Sequence, residues 1–472
     1  MRSKILLLAL ACLAGPSAAW AQAPADTTEE LLLRLKEKGI LTDQEYQALV
    51  RRKAAEAPAR AAPPAAPAAG TGAQAGATPA QTIDPKAVRM AESGVGLQLG
   101  DVTVKLSGSI NGFYTYEDGG DAGPGSVVVG GLASAGGSDT SSVRNGLLPG
   151  FLKVDVTTTQ AGWDVGAHFG IYPGINSVTG AGGANSPGQP TALSTAGIDF
   201  RQTYLTFGRK ELGEVKIGRD IGLFASEAIL NDITLFSVGT AAGNAAPSNT
   251  SLGRIGLGYI YTDFQPQITY TTPTFGGLQA SVGVFQPLLT AGATETNDQP
   301  GFQGEITYDV KAGGLDARAW ASFVTQRHDG LPGLGDYRGT GFDVGAKLGF
   351  GPAGFTGYYY TGKGIGTTGL FILAADAAGN RRDSDGFYLQ GTMKFMEKAM
   401  LGVSYGESRL DLAEGEVNPT LVDSNQSWAL QGRYSLTDWV TLVTEYILTE
   451  SEAHNGNEAE SDTVAVGAIV FF

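Results

Sequence analysis

From Asp101 onward, apolar and polar residues alternate with period two. In 151–157, Leu152, Val154 and Val156 share one face while Lys153, Asp155 and Thr157 share the other. The split recurs at Phe302, Ile306, Tyr308 and Val310 against Gln303, Glu305, Thr307 and Asp309, and again in 342–348 and 387–395. Such segments, bounded by glycine-rich turns, predict antiparallel strands with one apolar and one polar face. Short connectors lie at 159–162, 208–213, 275–277, 312–314, 351–354, 396–398 and 436–438. Long ones alternate with them, near 118–145, 172–197, 220–263, 288–300, 327–338, 365–383, 410–424 and 451–460. Strict alternation of this kind predicts an all-β fold, a transmembrane antiparallel β-barrel of about sixteen strands with both ends at the short-turn rim. Residues 253–263 are assigned to the returning limb of the longest loop, because a strand there would make the number odd. A barrel of about sixteen strands encloses water, whereas one of about eight is filled by side chains.

The final segment, Thr463-Val-Ala-Val-Gly-Ala-Ile-Val-Phe-Phe472, alternates to an aromatic end. Two bare phenyl rings on a frayed strand would invite aggregation, so the segment is expected to close the barrel against the strand that begins near Asp101. Upstream the pattern changes. Residues 1–21 read as a secretory signal, with Arg2 and Lys4 before the apolar run Ile5–Leu13 and Ala19-Trp20-Ala21 at the cleavage site. In 22–53, two capping boxes, Asp26-Thr-Thr-Glu29 and Thr42-Asp-Gln-Glu45, open short amphipathic helices separated at Gly39. Too short to bury much surface alone, these are expected to associate with copies from neighbouring chains, as in a coiled coil, or with a periplasmic surface. Residues 54–100 form a linker, rich in Ala, Pro and Gly through 82. The barrel domain is then 101–472.

Composition narrows the chemistry. The single cysteine, Cys12, falls in the signal, so neither a disulfide framework nor a cysteine-ligated metal is expected beyond it. No run reaches the roughly 18 apolar residues of a membrane-spanning helix. The net charge of −15 argues against nucleic acid as a partner. His168, His328 and His454 lack metal spacing, and no nucleophile elbow precedes a helix, so an enzyme is not expected, nor a cofactor or metal. Trp163, Tyr204, Tyr358, Trp428, Trp439 and Tyr446 fall near strand ends, as an interfacial girdle would. Trp320 and Tyr388 have the parity of the lumen instead.

Phe200–Phe207, a tight turn and Gly213–Asp220 resemble the strand-turn-strand leading into the constriction loop of the trimeric Gram-negative porins. Arg201 matches an Arg near the start of that family's fourth strand, and Gly218-Arg219 a Gly-Arg pair ending its fifth. Gln431-Gly-Arg-Tyr-Ser-Leu-Thr, Thr444-Glu-Tyr446 and Phe472 are similar to its last three strands. The helical leader resembles that of phosphate and dicarboxylate porins.

The resemblance implies that 220–252 fold into the barrel. The loop's Leu223, Phe224, Ile229, Leu230, Leu235 and Phe236 require a wall to pack on. Its acidic residues Asp220, Glu227 and Asp232 are then expected to face a basic wall: Arg201 by family match, Lys153 and Lys216 by parity, Arg144 near the rim. Arg219 joins only if a bend at Gly218 turns it inward. Phe472 is expected to be read by the barrel assembly machinery. The function expected is passive diffusion of small hydrophilic solutes and ions through a homotrimer in the outer membrane, among its lipid and lipopolysaccharide. The alternatives are a channel selective for phosphate or dicarboxylates and, more distantly, an adhesin or secreted β-solenoid.

Overall fold

A computed structural model describes residues 94–472 apart from 135, 137–138, 178–195, 241–249, 291–294 and 331–334, together with the backbone of Val88–Met90. The signal, the leader helices and most of the linker lie outside the described residues. The strands are β1 (Val102–Gly119), β2 (Thr140–Arg144 and Phe151–Gln160, interrupted), β3 (Trp163–Ser177), β4 (Ala196–Arg209), β5 (Gly213–Ile221), β6 (Phe264–Thr271), β7 (Leu278–Phe285) and β8 (Gly301–Ala312). They continue as β9 (Leu315–His328), β10 (Tyr337–Phe350), β11 (Ala353–Lys363), β12 (Asp383–Phe395), β13 (Ala399–Leu410), β14 (Val422–Ser435), β15 (Val440–Ala453) and β16 (Glu458–Phe471). Each pairs antiparallel with its neighbours, and β16 pairs with β1 from Ser461 opposite Gly119 to Phe471 opposite Ser109. The result is a closed 16-stranded antiparallel barrel.

Period-two alternation decides which face meets what. Ile110, Val143 and Phe342 point outward and are 62%, 67% and 57% exposed. In water each would forfeit about 1.5–3 kcal/mol of burial. A contiguous band of them is therefore a surface for hydrocarbon. Their strand neighbours Ser109, Thr115, Thr269, Gln303 and Gln431 point inward and are buried. Closure leaves no unpaired strand edge in that band.

Seven short turns gather at one rim with the start of β1 and the end of β16. At Gly313-Gly314 both residues take positive φ, 59° and 84°, the turn whose twist matches antiparallel strands and which a side chain would strain. The seam closes there through Gly108 and Phe472, whose backbone groups exchange hydrogen bonds of 3.0 and 3.1 Å. The Phe472 ring lies 5.8 Å from Trp439.

Two features differ from the sequence reading. Within the stretch expected to be linker, Val95–Leu99 forms a strand against Val102–Leu106, and Val88–Met90 pairs with it in turn. Val95, Leu97 and Leu99 lie opposite Leu106, Val104 and Val102, so the outward apolar parity of β1 carries into this ribbon. The last long connector is only 454–457, because 451–453 and 458–460 extend the two strands outward in register.

The aromatic positions divide likewise. Trp163, Trp428 and Trp439 are exposed on the outer face. Tyr204 and Tyr358, expected in the girdle, point inward, since they share parity with Thr206 and Thr356.

Candidate functional site in the barrel lumen

The connection from β5 to β6 runs inside the barrel along its wall over its described residues, 222–240 and 250–263. Its helix α1 (Ser226–Asn231) lacks a side-chain cap of its own; Ala225, in the left-handed region at its start, donates its amide to Asp343 on β10 at 2.8 Å. Leu223 donates to Gln303 on β8 (2.8 Å), and the Tyr388 hydroxyl of β12 donates to the carbonyl of Ala228 (2.9 Å). Gln390 accepts from the amide of Ile233 at 2.8 Å. Farther on, Glu445 of β15 accepts from Ser237 (2.5 Å) and from the amides of Val238 (3.1 Å) and Gly239 (2.7 Å).

The returning limb is not a strand. It carries Arg254, whose guanidinium donates to Ser427 of β14, and approaches β13 so closely at Leu257 that a Cβ on Gly406 would meet the Leu257 carbonyl at 2.4 Å. Between loop and wall is a dry core in which inward-facing Trp320, Val324, Tyr358, Tyr360 and Tyr388 pack on Phe224, Ile229, Ile255, Tyr259 and Ile260. Trp320 and Tyr388 thus have the lumen parity that the sequence indicates, but they lie beneath the loop and are not offered to solute. A second loop, 364–382, joins this core through Ile365, Leu370 and Phe371 and bonds to the limb at Tyr261.

The residues singled out from sequence fall into separate groups. Lys216 and Asp220 face inward on β5 and form an ion pair of 2.5 Å; Gln202 also donates to Asp220 at 2.8 Å. Arg201 sits at a bulge in β4, paired with Asp199 at 2.6 Å and lying over the rings of Tyr172 and Phe264. Lys153 points inward from β2 over the Phe151 ring. Arg144 is buried on the outer segment of β2, its Nε donating to the Asn145 carbonyl.

The loop carboxylates are neutralised elsewhere. Glu227 is held by Arg318 of β9 at 2.7 Å, and Asp232 accepts from Tyr259 at 3.1 Å with the buried Arg254 at 3.9 Å. Asp220 belongs to the wall itself. The helix that carries Glu227 lies against β8–β12, an arc apart from β2–β5, so the expected pairing across the lumen with Arg201, Lys153 and Lys216 is not formed. Arg219 is exposed and keeps the outward parity of Val215 and Ile217. Gly218 does take a φ of 135°, yet pairing with β4 continues through Tyr204–Gly218 and Thr203–Arg219 without a register shift, so Arg219 is not turned inward.

Arg318, Arg254 and Arg433 are the loop's basic partners that sequence reasoning missed. Arg433 reaches the Ile233 carbonyl at 2.5 Å and lies over Phe236. Arg318 and Arg433 share inward parity with Trp320 and Gln431, and that signal was available in the chain.

The opposite arc stays polar. A cavity of about 530 Å³ lies against β1–β6, lined by Thr103, Thr157, Thr206, Glu214, Lys216 and Asp220 among others. Within it, His168 stacks on Tyr204 at 4.6 Å and its Nδ1 lies 2.6 Å from Asp155.

This geometry has counterparts. The outer-membrane channel DcaP of Acinetobacter baumannii superposes with a TM-score of 0.58 at 17% identity, over 81% of this chain and 99% of that one. An anion-selective porin from Comamonas acidovorans gives 0.53 at 16% identity, over 79% and 100%. OmpF of Salmonella typhi, in complex with daunomycin, gives 0.51 at 13%, over 80% and 100%. At these identities the likeness is one of fold. No curated protein sequence matches the chain. The family model for Gram-negative porins matches residues 65–454, most of the chain. The chain belongs to the Gram-negative porins and forms an outer-membrane channel for passive diffusion.

Proposed function

We propose that this channel is a general one, passing small hydrophilic solutes and ions along the polar β1–β6 arc, and that it works as a homotrimer with its leader helices in the periplasm. The observation that carries the reading is the asymmetry of the lumen. One arc is filled by the loop's dry core, and the other holds a 530 Å³ cavity lined by hydroxyls and charges. Threonine hydroxyls there donate and accept without preference for one solute. The site residues take their roles from this division. Lys216 with Asp220, and Lys153, border the path, while Glu227 and Asp232 hold the loop in place; Arg201 and Arg144 stiffen the wall at its outer end. The family and fold are those of a channel rather than an enzyme.

The alternative, selectivity for phosphate or dicarboxylates, would rest on Lys347 and Lys394, which are exposed at inward positions of β10 and β12. Planar-bilayer recording separates the two. A general channel gives a conductance that rises linearly with salt. Saturation by millimolar phosphate or succinate would overturn the general reading in favour of the selective one. In the same preparation, an unboiled sample should migrate as a trimer on a denaturing gel and as a monomer after boiling.

A further inference from the structure

The charges that line the open cavity belong to the wall of the polar arc and not to the loop's Glu227 and Asp232. Glu227 is cancelled by Arg318, which Asp309 also contacts at 2.8 Å, and Asp232 is enclosed with Arg254 inside the loop. The cavity against β1–β6 is lined by four carboxylates, Asp101, Asp164, Glu214 and Asp220, and by one ammonium, Lys216, which is already bonded to Asp220. Asp101, Asp164 and Glu214 are exposed to the cavity, with Thr159 donating to Asp164 at 2.6 Å. They stand near the short-turn rim on three different elements, Asp101 just before β1, Asp164 on β3 and Glu214 on β5. The Lys216 ammonium lies over the face of Tyr204, 5.6 Å from its centroid, so the ring that lines this wall already accepts a cation. The lysines of the opposite arc, Lys347 and Lys394, are on β10 and β12.

We infer that Asp164 and Glu214 are specificity-determining residues that make the short-turn vestibule favour cations, inorganic ones and small solutes bearing an ammonium group. This rests on the channel reading above and adds the class of solute. A low-dielectric wall carrying an excess of charge of one sign concentrates counter-ions beside it, and in a path confined to that wall the enrichment becomes selectivity. Salt weakens the effect as the screening length falls below the width of the vestibule.

The test is the reversal potential of the full-length wild type and of the Asp164→Asn/Glu214→Gln double variant in a potassium chloride gradient at low ionic strength. Wild type should prefer K+ over Cl−, and the double variant should lose that preference by about threefold. Liposome swelling supplies the solute arm: lysine should enter faster than glutamate in wild type, with the gap closing in the variant. Both side chains are exposed at the turn end, so folding should be retained, and heat-modifiable migration checks it. An ohmic wild-type channel that prefers Cl−, or a double variant with an unchanged ratio, would overturn this inference and leave the channel reading standing. Absence of ohmic conductance in the wild type would remove both.

Discussion

Glu416 shows how a single carboxylate ties two loops together. Its oxygens accept from both ends of the Arg382 guanidinium at 2.5 and 2.8 Å, and from the amide of Ala413 at 3.0 Å. Arg382 beside it holds the Glu416 carboxyl down at about 2, against an ordinary 4.5, with burial opposing. Because the folded-state value is depressed, the stability it contributes is complete above about 4.5 and lost as pH falls through about 2. The thermal stability gap between wild type and Glu416→Gln should therefore be constant from neutral pH to about 4.5, shrink below that, and vanish near 2. A gap undiminished at pH 2 would contradict the pairing. None of this is legible in the chain, since Arg382 and Glu416 lie on different loops and share no parity signal. Lys216 and Asp220 could be read, because positions four apart on one strand share a face.

At the scale of elements, the inward loop is held chiefly by wall side chains and only in part by its own structure; α1 has six residues and no side-chain cap. Glu445 is the anchor with most to lose. It is 1% exposed and accepts from two loop amides, one serine hydroxyl and Gln431. Glu445→Gln turns part of that acceptor surface into a donor facing buried N–H groups, at a cost of about 1–3 kcal/mol. We expect a lower denaturation temperature together with noisier single-channel current, as the loop leaves its seat more often. Current as quiet as wild type would argue that the dry core alone holds the loop.

The apolar content of 222–236 made an inward loop legible in sequence, because exposed loops do not carry that many large apolar side chains. The loop's direction was not legible. Its docking on β8–β15 depends on which inward positions are polar hooks and which are aromatic, and these come from strands distant in sequence. Arg219 illustrates the converse: its outward parity was legible, and the unbroken register left it there.

For the whole molecule, closure is the event on which everything else depends. Phe472 contributes two backbone hydrogen bonds to the β16–β1 seam and a ring beside Trp439. We propose that it is also the handle by which the barrel assembly machinery engages the last strand. Deleting Phe472 should lower the yield of folded, heat-modifiable protein at the cell surface while leaving the conductance of the molecules that do fold unchanged. Equal surface yield would count against that role. The ribbon at 95–99 enters here too, since it continues the seam along β1 beyond the end of β16.

By itself the sequence determined the barrel: the strand period, the alternation of short and long links and the even strand number. These follow from local rules, the two-residue repeat of a strand and the requirement that a membrane-spanning sheet leave no edge. Only the tertiary structure decided which arc of the lumen stays open and which charges remain unneutralised beside it. Parity assigns a residue to the inner face, but a closed sheet has an inner face all the way round. Which part of it meets water depends on where a loop from between β5 and β6 comes to rest among residues up to 208 positions away.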